Sequence, residues 1–127
     1  MSTDASQPLE GGPEPRWDLP KILDIRIRRI AFEPRRHRHF ASSLGRVGEA
    51  IEFLVTTDGP VPARAMAPVL FVGDAPVFES ESLGENRLRF LAFDVARLQP
   101  DAPITWGWGH ARPEERLETR FRFRPEG

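Results

Sequence analysis

"RLETRFRFR", residues 116–124, alternates without a break: Leu117, Thr119, Phe121 and Phe123 fall on one side, Glu118, Arg120, Arg122 and Arg124 on the other. A strict period of two marks a strand with one face in a core and the other in water. "ILDIRIR", 22–28, repeats the pattern, with Leu23, Ile25 and Ile27 opposite Asp24, Arg26 and Arg28. There the apolar phase slips, because Ile30 and Phe32 continue the row on even numbers, and a bulge or bend at Arg28–Arg29 is expected. "AIEFLVTT", 50–57, turns Ile51, Phe53 and Val55 inward, and "APVLFVGD", 67–74, is apolar on both faces, as a central, doubly covered strand requires. "VFESES", 77–82, and "RLRFLAFD", 87–94, come next. "ITWGWG", 104–109, then sets Ile104, Trp106 and Trp108 opposite Thr105, Gly107 and Gly109. Thirteen prolines and ten glycines suit sharp turns rather than long helices. The fold class expected is all-β: a single antiparallel β-sandwich of about seven strands. A short helical turn around "DVARLQ", 94–99, fits within it.

The run "PVLFVGDAPVFESESLGENRLRFLAFDVARLQPDAPITWGW", residues 68–108, resembles the strand order of an immunoglobulin-like sandwich, the TIG type in particular. The likeness lies in a strand ending in a glycine turn, then a polar hairpin, a further strand and a proline loop. It implies a sandwich that binds other proteins or acts as a spacer, and it carries over no catalytic residue. The Cys–Trp–Cys hallmark of true immunoglobulin domains is absent.

At 127 residues, with 39% apolar and 29% charged residues, the chain has the make-up of one globular domain. The first 16 residues are Ser, Gly, Pro and acid with little apolar matter, and read as a disordered acidic tail before a domain at 17–127. "RWDLP", 16–20, is where order is expected to begin, through Trp17 or Leu19. With no cysteine there is neither a disulfide nor a thiolate site. No secretory signal and no apolar run long enough for a bilayer is visible, so a cytoplasmic location without membrane contact is expected.

The net charge of −1 hides a segregation, since residues 1–20 carry −3 and residues 21–40 carry +5. The centre of the positive stretch is "EPRRHRHF", 33–40. In an extended segment His37 and His39 project to one face, Arg36 and Arg38 to the other. The histidine pair has metal-ligand spacing but needs further ligands, for which His110, Glu33 and Glu114 are the candidates. The plainer reading is a wet loop or contact surface, and no cofactor is expected. Arg35, Arg36 and Arg38 suit carboxylates or phosphates through forked hydrogen bonds. If the first and last strands were neighbours, Arg26 and Arg28 would join Arg120, Arg122 and Arg124 in one basic stripe.

The partner expected is therefore an acidic protein surface, the chain's own tail or a second copy included, met by Arg28, Arg35, Arg36, Arg38, Arg120 and Arg122. A nucleic acid fits less well, because the regularly placed phenylalanines fall on the core face instead of offering stacking platforms. Trp106 and Trp108 read as core, with Gly107 and Gly109 admitting a close neighbour. No serine sits in a Gly-x-Ser-x-Gly elbow, no phosphate-cradling loop is present, and Glu79 with Glu81 reads as a solvated strand face. Function is expected to be non-catalytic, with metal binding and nucleic-acid binding as the alternatives.

Overall fold

The alternating stretches are strands, and the computed structural model, which describes residues 19–32, 48–62, 67–109 and 111–126, arranges them in two antiparallel sheets. In chain order the strands are β1 (Ile22–Phe32), β2 (Gly48–Thr57), β3 (Pro68–Val72), β4 (Ala75–Val77), β5 (Glu79–Gly84), β6 (Arg87–Ala92), β7 (Pro103–Trp108) and β8 (Leu117–Arg122). Sheet one has the order β1-β2-β6-β5 and sheet two β4-β3-β7-β8. One core joins them: Ile25, Phe53 and Phe90 of sheet one pack in the same cluster as Leu70, Trp106 and Phe123 from the other side. Leu19 is in that cluster too, as expected, whereas the expected tail 1–16 and Trp17 lie outside the described residues. The sequence "DVARLQ" forms a single 3-10 turn at Val95–Arg97.

Among the described residues there are eight strands where about seven were expected, because the chain changes sheets at Phe78. Residues Ala75–Val77 pair with β3, and one residue later Glu79–Gly84 pair with β6. "VFESES" cannot register a sheet change, since Val77 and Phe78 are both apolar and the four residues after them are all polar, which leaves no alternation to read.

β1 departs from expectation at two points. Its pairing with β2 runs without interruption through Arg28↔Glu52, Arg29↔Ile51 and Ile30↔Ala50, so no bulge sits at Arg28–Arg29. The slip in apolar phase is a change of face: Ile30 and Phe32 turn away from the main core into a second cluster with Ala50, Leu91 and Phe93. The irregularity lies at the other end, where Ile22 pairs with Thr57 and Asp24 with Thr56, leaving Leu23 as the extra residue. That puts Ile22 in the core and leaves Leu23 44% exposed, so the inward position expected for Leu23 belongs to its neighbour.

β3 is buried at all five positions, as its apolar faces require. Leu70 and Val72 enter the main core, while on the outer face of sheet two the β7–β8 connection sets Arg116 over Phe71 and Ala111 close to Gly107. The Arg116 guanidinium lies 3.8 Å from the centre of the Phe71 ring, a cation–π contact that also shields the ring from water. Trp106 and Trp108 are both buried in the core, as expected. Gly107, between them, lets the connection close down, because a Cβ there would lie 2.7 Å from the Cβ of Ala111. Gly107→Ala is accordingly expected to destabilise the fold by about 1–3 kcal/mol through overpacking. Urea denaturation checks this, and the double substitution Gly107→Ala, Ala111→Gly should recover most of the loss.

Candidate functional site

The period-two pattern turns Arg26 and Arg28 of β1 and Arg120 and Arg122 of β8 toward water, with Asp24 and Glu118 outward beside them. β1 and β8 are edge strands of different sheets, not neighbours within one. What joins this side of the molecule is the segment after β8: the Glu126 N–H donates to the Ile27 carbonyl at 2.7 Å, forming a short parallel bridge with β1. The alternate residues of the two strands point away from the shared core on opposite layers, so Arg26 and Arg28 do not share a face with Arg120, Arg122 and Arg124.

Most of these guanidinium groups already have acidic partners. Arg26 Nη2 donates to Glu126 Oε1 at 3.3 Å. That hydrogen bond, and next to it the charge of Glu126, raises the Arg26 guanidinium above its ordinary value. Arg29 meets Glu49 at 3.2 Å. Arg124 Nε donates to Asp101 Oδ1 at 2.7 Å, while Arg122 Nη1 donates to the Asp101 main-chain carbonyl at 2.9 Å. Asp101 holds both from a left-handed turn position (φ 64°), a conformation that Asp tolerates better than most residues.

Arg28 belongs to a network that crosses all four strands of sheet one. Its Nε donates to Glu52 Oε1 at 3.0 Å. Arg89 Nε lies 3.0 Å from Glu52 Oε2, a charge contact without hydrogen-bond alignment. Arg89 Nη1 donates to Glu81 Oε1 at 2.6 Å. Glu52 is only 3% exposed although it points away from the main core, whereas the Arg28 side chain is 51% exposed. Withdrawing a carboxylate this far from water is costly, and the two guanidinium groups beside it offset that cost. Arg28 thus supports sheet one and is not a free cation.

Arg120 and Arg122 differ. They occupy alternate exposed positions of β8, and among the described residues neither has a carboxylate partner. Arg35, Arg36, Arg38, His37, His39 and His110 lie outside the described residues. Among the described residues no group of three or more His, Asp or Glu side chains is gathered for a metal ion. No helix among them is long and apolar enough to cross a membrane.

A second surface, which reasoning from the sequence missed, lies where the chain changes sheets. Phe78 is 61% exposed there, the most exposed large apolar residue among those described. Beside it is a groove of about 160 Å³ walled by Val77, Leu91, Phe93 and Leu98, with Glu79, Asp94 and Arg97 supplying polar groups. The signal was present in "VFES": with Val77 inward, alternation sends Phe78 out. Glu79 forms no ion pair with a described residue, and Arg97 Nε is 3.9 Å from Asp94 Oδ2, a distance of weak attraction in water. No protein-family model matches the chain, and neither a curated protein nor a solved structure does.

Proposed function

We propose that this chain is a non-catalytic, immunoglobulin-like interaction module of the cytoplasm that binds an acidic protein surface through arginines. Supporting the fold reading is the strand order: lettering the strands A, B, C, C′, D, E, F and G in sequence gives A-B-E-D in one sheet and C′-C-F-G in the other. That order agrees with the one expected of an immunoglobulin-like sandwich with one added strand, which supports the reading. The binding reading rests chiefly on one contrast. Arg26, Arg28, Arg29, Arg89 and Arg124 each meet a carboxylate of the chain itself, while Arg120 and Arg122, on the exposed face of β8 that also carries Glu118, meet none among the described residues. Arg35, Arg36 and Arg38 are assigned to the same partner on their sequence alone, and Arg28 is left to its place beside Glu52.

The test is a titration with a glutamate-rich peptide, followed by fluorescence anisotropy at low and at raised salt. Binding that weakens with salt is expected, because the contact is between exposed charges. The Arg120→Glu, Arg122→Glu double variant and the Arg35, Arg36, Arg38 triple-alanine variant should each bind at least about tenfold more weakly, since reversed or lost charges act on a few close pairs. Unchanged affinity in both variants overturns the reading. So does tighter binding of a single-stranded oligonucleotide than of the peptide.

A further inference from the structure

The two sides of the molecule are finished differently. On one, the segment after β8 bonds across to β1 through Glu126. On the other, β4 and β5 are both sheet edges, joined only by Phe78. Neighbouring residues obey the inward rule there: Val77 is buried in the main core, while Phe78 stands 61% exposed at the rim of the groove. The walls of the groove come from both apolar clusters, Val77 and Leu98 from the main core and Leu91 and Phe93 from the second. An aromatic ring entering it would contact both.

We infer that this side is a self-association surface on which two copies of the chain insert Phe78 into each other's groove. A two-fold contact requires a patch complementary to itself, and this one places a knob beside a hole. Its charges fit the same symmetry. Among the described residues Glu79 has no ion-pair partner and Arg97 only a long contact to Asp94, so Glu79 of each copy meets Arg97 of the other, twice by symmetry. Edge-to-edge pairing of β5 with its copy is disfavoured, because a register centred on Ser80 sets Glu79 against Glu81. The contact therefore rests on inserted side chains and not on a continuous sheet. An aromatic anchor inserted into a pocket of its partner is where such an interface concentrates its binding energy.

Sedimentation velocity of the full chain over a range of concentrations tests this. The wild type is expected to show a reversible monomer–dimer equilibrium. Phe78→Asp, at an exposed position, should leave the circular dichroism spectrum and urea midpoint unchanged while raising the dimer dissociation constant at least about tenfold. Arg97→Glu should weaken the dimer as well, and the Glu79→Arg, Arg97→Glu double reversal should restore it. A wild type that stays monomeric at every concentration overturns the inference, as does a dimer whose dissociation constant Phe78→Asp leaves unchanged. Neither result bears on the acidic-peptide titration, which reads a different face of the molecule.

Discussion

Trp106→Ala is expected to lower the unfolding free energy by about 3–5 kcal/mol, the usual range for emptying a core aromatic site. Trp106 is the largest of the fully buried side chains, at 1% exposure, and lies in β7 between β3 on one side and β8 on the other. Its inward side chain belongs to the cluster that the two sheets share, so alanine leaves a void between the layers and not at an edge that can collapse. Against a total stability of about 5–15 kcal/mol for an ordinary domain, the variant should be severely destabilised or partly unfolded. Urea denaturation followed by far-ultraviolet circular dichroism measures it. Trp106→Phe keeps most of the apolar contact and should recover more than half of the loss. A cost below about 1 kcal/mol for alanine would show that the layers close over the gap, against the large-to-small range seen in packed cores.

Glu52→Ala carries the second largest expected effect. Removing a buried partner of an ion pair commonly costs about 3–5 kcal/mol, because the cation left behind stays out of water. Here the expected cost is smaller, about 2–3 kcal/mol, since the half-exposed Arg28 can rehydrate. Arg89, at 27% exposure and with Glu81 still beside it, rehydrates less readily. The converse substitution, Arg28→Ala, leaves Glu52 buried with Arg89 alone, so a double-mutant cycle between positions 28 and 52 should give a clear coupling energy. Glu52→Gln keeps the shape and one acceptor oxygen, and should fall between wild type and alanine. Coupling within about 0.3 kcal/mol of zero would place the contact with ordinary surface pairs and remove the network from the account of sheet one.

The strand faces were legible along the chain. Arg120, Arg122 and Arg124 are exposed and Phe123 is buried, as the alternation in "RLETRFRFR" requires. β3 was readable as a covered strand, and the tryptophans as core, because a short β-domain needs its largest apolar groups inside. Three things were not legible. The bulge at Leu23 leaves composition and spacing unchanged while it exchanges Leu23 for Ile22. Ile30 and Phe32 look the same in sequence whether the strand bends or a second cluster forms on its far face. The change of sheet at Phe78 falls where two apolar residues give way to four polar ones, a pattern that shows Phe78 opposite Val77 but neither the change of sheet nor the groove.

The candidate site divides the same way. That arginines would stand outward on β1 and β8 follows from period two alone, but which of them stay unbalanced does not. Arg26 meets an acid 100 residues away, and Arg28 meets one 24 residues away across a strand register. By itself, then, the sequence determined an all-β chain, the inward and outward sides of most strands and the basic character of their wet faces, because these depend on neighbours two residues apart. Only the tertiary structure decided which sheet each strand joined, which carboxylate met each guanidinium and where Phe78 came to stand, because pairings between distant strands set those distances and local alternation carries no record of them.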